Sequence, residues 1–275
     1  MRKTLLILVI AACFVAWPRA QQGESSAPAG SFDQILDLYV RDGDVYYRAL
    51  KLERARLDSY IASLATASID SAPPNERLAF WINAYNAFVL RTVIDRYPIQ
   101  ARTKDYPQPS IRQIPGAFER LPHRAAGRTV TLDQIEQTIL PTFNDPRVYF
   151  ALGRGSHGGG RLHSEAYVAA RLDTQLADVR NECTSRPQCV QIDLAADKVN
   201  ISAIFSWREK EFAAAYATKA QAIFASRSPV ERAVLAFIEP KLLTIEREVL
   251  EKNTFQVAYR PFDWTLNDLT GRGGR

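Results

Sequence analysis

The segment Glu76–Tyr97 constrains the fold of this chain more than any other part of it. It reads ERLAFWINAYNAFVLRTVIDRY and is followed by Pro98, a natural helix terminator. Large apolar side chains surround the predicted helix on nearly every side: Trp81, Ile82, Tyr85, Phe88, Val89, Val93 and Ile94. Because a helix that is apolar all round must be buried, we expect the rest of the chain to pack around this one.

Two asparagines interrupt the apolar surface of this helix. Asn83 and Asn86 are the only polar side chains between Phe80 and Leu90, and their spacing places them on one face. A buried asparagine without hydrogen bonds costs about 1–3 kcal/mol, so both side chains need partners. Either they bind neighbouring loops, or they line a pocket.

The stretch Asp145–Tyr167 holds the densest glycine run in the chain and two of its three histidines. It reads DPRVYFALGRGSHGGGRLHSEAY. The apolar run at 148–152 predicts a strand, and a helix is expected to start near Ser164. Backbone N–H groups of successive glycines, at a helix start, form a typical anion-binding concavity.

Arginines strengthen this interpretation, because guanidinium groups suit carboxylate and phosphate. We therefore predict a polar, anion-accepting pocket formed by Arg154, Gly155 and Arg161, with Asn83 and Asn86 as its floor. The alternative is a solvated, flexible loop.

Known catalytic motifs fit this stretch poorly. Residues 153–158 match G-x-G-x-x-G, the fingerprint of a dinucleotide-binding site. However, two further glycines delay the helix, and no second strand that ends in an acidic residue follows about 20 positions later. Arg154 breaks a serine-hydrolase elbow around Ser156, and the zinc-deaminase start at His163 lacks its Pro-Cys-x-x-Cys partner. Ser156, His157 and His163 remain the catalytic candidates. No cofactor or metal is predicted.

The N-terminal residues resemble a secretory signal peptide. Arg2 and Lys3 precede an apolar run from Leu5 to Trp17, which is shorter than the roughly 20 residues that span a bilayer. We expect residues 1–20 to be a signal peptide, residues 21–30 a linker, and the protein to be exported, periplasmic or secreted. Alternatively, residues 10–13 form a bacterial lipoprotein box with lipidation at Cys13.

Charge and cysteine content narrow the function classes. The chain carries +5, and removing Arg2, Lys3 and Arg19 with the signal leaves 32 basic against 30 acidic residues. A charge of +2 does not support nucleic-acid binding. The remaining cysteines, Cys183 and Cys189, lie close together around Pro187, which favours a local disulfide in an oxidising compartment over a zinc site.

The remaining patterns predict a mainly helical α+β single domain over residues 31–270, with a small β-sheet and a disordered tail at 271–275. Besides the helix at 76–97, one helix is predicted to begin at Ser31 and another at Lys241. Four more are predicted at 49–65, 132–140, 202–217 and 228–239. The predicted strands cover 128–132, 190–194, 198–201 and 254–259.

Four blocks of the sequence together resemble a bacterial and plant family, the domain of unknown function 547. The blocks are LAFWINAYNAF at 78–88, the stretch 148–167, Ser206-Trp207 before Glu211-Phe212, and FDWTLN at 262–267. The resemblance runs in order from Phe32 to Asn267. It implies a single α+β domain, often exported, with no activity attached to it.

The chain departs from this family at three positions. Members commonly carry cysteines where this chain has Arg154 and Gly159, and many have a histidine where Tyr149 stands. A cysteine and a histidine close together would suit thiol nucleophile chemistry, which this chain cannot perform with those positions.

These features predict an exported ligand- or partner-binding domain without thiol catalysis. Its expected partner is a small anionic ligand or an envelope component, and it would contact membrane only through the signal peptide or lipidation at Cys13. One alternative is an envelope or extracellular hydrolase or transferase with His157 or His163 as the acid–base group. Another is a structural or assembly protein.

Overall fold

The computed structural model describes residues 29–269. The predicted signal peptide, Cys13 and the tail at 271–275 lie outside the described residues. The predicted linker extends to residue 30, but Ala29 and Gly30 already belong to the first helix. That helix starts before Ser31 because Ala29, a strong helix former, packs against the core.

The described part of the chain contains ten α-helices and seven short strands. The helices are α1 Ala29–Tyr39, α2 Tyr47–Leu52, α3 Ala55–Thr66, α4 Pro74–Arg96, α5 Leu132–Gln134, α6 Leu172–Ser185, α7 Ala203–Trp207, α8 Glu209–Tyr216, α9 Pro229–Ile238 and α10 Thr244–Glu251. The strands are β1 Val40–Arg41, β2 Asp44–Val45, β3 His123–Ala125, β4 Arg128–Val130, β5 Val190–Asp193, β6 Lys198–Ser202 and β7 Gln256–Arg260. The architecture is mainly helical α+β, as predicted.

Helix α4 is the central helix that its sequence predicts. All residues from Leu78 to Leu90 are buried, including both asparagines. Helices α1, α2 and α3 pack against it, and the strand β3 packs against α3. A second group of aromatic rings joins the 146–150 segment to α7, α8 and α9, through contacts among Phe150, Phe205, Phe212 and Phe237.

The largest sheet contains the strands predicted at 190–194, 198–201 and 254–259. β5 and β6 run antiparallel, with Val190 opposite Ile201 and Asp193 opposite Lys198. β7 joins the other edge of β6 in parallel. The predicted disulfide is also present, because Cys183 at the end of α6 bonds Cys189 just before β5, with the two Cα atoms 5.2 Å apart.

Two predicted long helices are each divided. The helix expected at 49–65 is α2 and α3, separated at 53–54. The helix expected at 202–217 is α7 and α8, separated at Arg208. Arg208 is buried and its guanidinium donates to Glu136, so the break accompanies an inward-pointing charge.

Two predictions around the glycine stretch are wrong. The apolar run at 148–152 forms no strand, because Asp145 caps a 3₁₀ turn at Pro146–Phe150 by accepting from the Arg147 N–H. No helix begins near Ser164, and α6 starts only at Leu172. The backbone N–H groups of residues 166–168 donate instead to the side chains of Asp33, Asn83 and Gln175.

None of the helices within residues 29–269 has the length and apolar character needed to cross a membrane.

Candidate functional site

Asn83 and Asn86 fix both ends of the glycine stretch to α4. The Asn83 amide donates to the Tyr167 carbonyl at 2.8 Å and accepts from the Tyr167 N–H at 2.9 Å. The Asn86 amide donates to the Ala151 carbonyl at 3.0 Å and accepts from the Gly153 N–H at 2.9 Å. Each amide therefore hydrogen-bonds a loop through both its oxygen and its nitrogen, which is the first of the two alternatives above.

The glycine run is packed against other backbone segments. A Cβ atom on Gly160 would lie 1.6 Å from the Phe150 oxygen, and one on Gly158 would lie 2.6 Å from the Asp263 nitrogen. The N–H groups of Gly158, Gly159 and Gly160 donate to carbonyls of Asp263, Ser156 and Leu152 respectively. These N–H groups already have protein partners, so they are not arranged as an anion-binding concavity.

Arg154 lies inside the protein rather than in a cleft. Its side chain is 2 % exposed, and Nη2 lies 2.7 Å from Glu136 Oε1. Arg154 Nη1 donates to the Tyr149 carbonyl at 2.8 Å. Arg208 donates to the same Glu136 oxygen at 3.1 Å, and the Tyr85 hydroxyl donates to the other oxygen at 3.0 Å. Arg154 is thus part of a buried, hydrogen-bonded charge cluster.

Glu136 and Arg154 both stay charged despite their burial. Burial raises the pKa of the Glu136 carboxyl, but Arg154 and Arg208 outweigh that effect and hold this pKa below its usual value. Burial lowers the pKa of the Arg154 guanidinium, but the negative charge of Glu136 outweighs this effect and raises that pKa above its usual value. A buried charge stays ionised only with such partners.

Arg161 lies on the surface and does not share a cavity with Arg154. Its guanidinium bonds Asp42, with Nη2 2.8 Å from Oδ1, and also Glu182 on α6. Gly155 packs under apolar side chains of α4 and of the 111–113 turn, at Val89, Val93 and Ile111. The five residues predicted to bind an anion therefore do not surround one cavity.

His163 and Glu182 form a pair at the edge of an open groove. His163 Nε2 lies 2.9 Å from Glu182 Oε2. The groove has a volume of about 330 Å³ and is lined by Arg161, His163, Ser164, Glu165, Asp178 and Glu182. Burial raises the pKa of the Glu182 carboxyl, but the hydrogen bonds and charges of His163 and Arg161 prevail and hold it below its usual value. We call this the acidic groove, because three of its side chains are carboxylates.

The other two catalytic candidates, Ser156 and His157, do not form a pair. His157 Nδ1 lies 3.4 Å from Asp44 Oδ1 and lines a narrow cleft of about 20 Å³, room for about one water molecule. Ser156 is 3 % exposed and its hydroxyl has no hydrogen-bond partner within residues 29–269. The Ser156 hydroxyl is therefore not activated by either neighbouring histidine.

The sequence did not point to Glu136, Arg208 or Glu182. Glu136 lies 18 residues from Arg154 and 72 from Arg208, and no local pattern links charges at such distances. The capping box at Thr131 and Gln134 could locate the start of the helical segment that continues from α5 through Glu136, but not the direction of the Glu136 side chain. Within residues 29–269 no group of three or more His, Cys, Asp or Glu side chains is placed to hold a metal ion.

The third histidine, His123, is away from the glycine stretch and stacks on Phe88, with ring centroids 4.4 Å apart. Burial, aided by the charge of Arg91, lowers its pKa from 6.5 to about 4. A lowered histidine pKa gives stability that is complete above the unfolded-state pKa and is lost as the pH falls from 6.5 towards 4.

We therefore expect the free energy of unfolding to drop by up to about 3 kcal/mol between pH 7 and pH 4 on account of His123 alone. Urea denaturation at several pH values measures the free energy of unfolding as a function of pH. In the His123→Phe variant, the part of this pH dependence that comes from His123 should be lost. If the unfolding free energy of His123→Phe fell with pH as steeply as that of the unmodified protein, His123 would not be the cause.

Part of the chain matches a known protein family. A family model described as "Protein of unknown function, DUF547" matches residues 69–182. The matched segment runs from just before α4 into α6, and so contains Asn83, Asn86, Glu136, Arg154 and the acidic groove. No curated protein and no solved structure matches the chain significantly.

Proposed function

Because residues 69–182 are a segment of the DUF547 family, we propose that this protein is a ligand- or partner-binding domain without thiol catalysis. One observation carries the proposal: Arg154, where relatives commonly have a cysteine, is a buried side chain paired with Glu136. A nucleophile must reach its substrate, and this position holds a guanidinium enclosed by the core.

The two other departures from the family support the same conclusion. Gly159, at the second cysteine position, would place a Cβ atom 2.6 Å from the Gly153 oxygen, so this backbone has no room for a side chain. Tyr149, at the histidine position, is buried and donates to Glu211 at 3.3 Å. Both cysteines within residues 29–269 are joined in the Cys183–Cys189 disulfide.

The acidic groove is the binding site we propose. Its lining carries three carboxylates, Glu165, Asp178 and Glu182, and one guanidinium, Arg161. Glu182 is paired with Arg161 and Glu165 with Arg171 just outside the lining, so Asp178 carries the excess negative charge. This balance favours a ligand that offers hydroxyl or amine donors, such as a saccharide component of the cell envelope, over the small anion that the sequence suggested. Export of the protein, which the N-terminal residues suggest, would bring it to such ligands.

A matched series of sugars tests the charge preference. We expect the full chain to bind glucosamine more tightly than glucose, and glucose more tightly than glucose 6-phosphate, as measured by isothermal titration. Glu182→Gln should weaken glucosamine binding about tenfold, because a charge-assisted hydrogen bond is lost. His157→Gln, near the same loop but outside the acidic groove, is the control. Preference for glucose 6-phosphate would contradict the proposal.

One observation favours a second candidate, a hydrolase or transferase. The 2.9 Å contact between His163 and Glu182 resembles the arrangement in which a carboxylate orients an imidazole, whose other nitrogen then takes a proton from water. If this candidate holds, His163→Gln abolishes hydrolysis of ester or glycoside substrates and His157→Gln does not. Equal activity in the two variants would exclude it.

A further inference from the structure

A second groove lies between α3, α4 and β3. Its volume is about 350 Å³, and it shares no lining residue with the acidic groove. We call it the arginine groove. It is lined by Ile61, Ala62, Ala65, Phe88, Arg91, Thr92, Asp95, Arg96, Leu121, Pro122, His123 and Arg124.

Two buried polar atoms of this groove have no hydrogen-bond partner within the described residues. They are the Thr92 hydroxyl, on a residue that is 3 % exposed, and His123 Nε2. A helical threonine usually donates to the carbonyl one turn earlier, and Thr92 does not. Buried polar atoms without partners are costly. Two of the nine such atoms within residues 29–269 line this groove, where a bound molecule would supply the missing partner.

The charges at the rim are mainly positive. Arg91, Arg96 and Arg124 face one carboxylate, Asp95. Arg91 is paired with Asp58 and Asp95. Arg96 and Arg124 form no ion pair within residues 29–269, and both are exposed. Two guanidinium groups are therefore available to an anion.

The floor and walls of the groove are apolar. Phe88 and the ring of His123 stack with an interplanar angle of 11°, and Ile61, Leu121 and Pro122 complete the walls. A ligand that fits both parts carries a negative group at one end and an apolar body at the other.

We propose that the arginine groove binds a small organic anion, a carboxylate or phosphate ester attached to a flat apolar body. The anionic group would lie against Arg96 and Arg124, and it would accept from the Thr92 hydroxyl or contact the His123 imidazole. This site goes beyond the proposed function, since it concerns a different face and the opposite ligand charge.

The neutral state of His123 fits such a site. Its low pKa reflects burial and Arg91, opposed by Asp95. Arg96 of α4 and Arg124 of β3 also line the groove, and α3 contributes no titratable side chain to it. An anion bound next to the imidazole would stabilise its protonated form, so binding should raise the His123 pKa and tighten as the pH falls.

Nuclear magnetic resonance of the three histidine rings in the full chain tests the proposal. The probes are benzoate, phenyl phosphate and benzyl alcohol, which share an apolar ring and differ in charge. We expect both anions to shift the His123 signals saturably, with His163 unmoved, and benzyl alcohol to bind much more weakly. Comparing the two anions distinguishes a carboxylate from a phosphate ligand. Equal binding of benzyl alcohol, or no shift of His123 at millimolar anion, would overturn the proposal.

Variants separate a binding role from a structural one. Arg96→Ala/Arg124→Ala should weaken anion binding about tenfold or more, while Arg128→Ala on β4, outside the groove, should not. Thr92→Val removes a partnerless hydroxyl and keeps the shape, so it should raise Tm while it weakens binding severalfold. Unchanged anion affinity in the double variant would overturn the proposal. Neither result bears on glucosamine binding in the acidic groove, so the two proposals fail independently.

Discussion

Glu136→Gln is expected to lower the free energy of unfolding by about 3–5 kcal/mol, because removal of one partner leaves buried charges uncompensated. Arg154 and Arg208 both donate to the carboxylate that this change neutralises, and all three side chains are less than a tenth exposed. Chemical denaturation at neutral pH measures the loss. The stability that Glu136 supplies is present above its unfolded-state pKa and is lost as the pH falls through its lowered native pKa.

The control is Asp70→Asn. Asp70 pairs with Arg128 at 2.8 Å, but the two side chains are 82 % and 53 % exposed, so this change should cost less than about 1 kcal/mol. If Glu136→Gln also stayed within that range, the buried charge cluster would not hold the domain together as described. If Glu136→Gln fails to fold, Arg154→Met tests the same cluster. This change leaves Glu136 paired with Arg208, so the expected loss of unfolding free energy is smaller.

Gly160→Ala is expected to destabilise the domain by about 4 kcal/mol or more, a loss that single substitutions reach only by a specific mechanism. The added Cβ atom would lie 1.6 Å from the Phe150 oxygen and 2.3 Å from its carbonyl carbon. Both are backbone atoms, so the stretch must move away from the 3₁₀ turn to accommodate one methyl group.

Gly30→Ala provides the matched control for this prediction. Gly30 lies in α1, and a Cβ atom there meets nothing within 4 Å, so alanine should stabilise that helix by up to about 1 kcal/mol. Thermal denaturation of the two variants compares them directly. Equal Tm values would mean that the glycine stretch is a loose loop, the alternative that its sequence left open.

Local patterns predicted the elements whose side chains repeat regularly. The apolar surface at 76–97 gave α4 to within two residues at its start, because burial on every side leaves little choice of environment. The helix starts predicted at 132 and 228 are confirmed, each with a capping box, at Thr131 and at Ser228, whereas the start predicted at Ser31 is not, because α1 already begins at Ala29. The β5–β6 pair followed from two apolar strands around a short turn.

The candidate site could be predicted only in part, because its chemistry depends on contacts between distant residues. The glycine run indicated a bend, but not that Phe150 and Asp263 backbone would occupy the space beside it. Arg154 was expected to face a ligand, and only the fold places Glu136 next to it. The apolar run at 148–152 is compatible with strand or helix, and the cap by Asp145 decided between them.

The central claim is that this domain binds ligands at the acidic groove and does not perform chemistry at the position of Arg154. Titration of glucosamine into the full chain, followed through the His163 ring signals and by product analysis of the same sample, tests it most directly. The account predicts a saturable shift of His163, a smaller one with glucose, and unaltered sugar throughout. A ligand that binds tightly while His163 stays unmoved would contradict it.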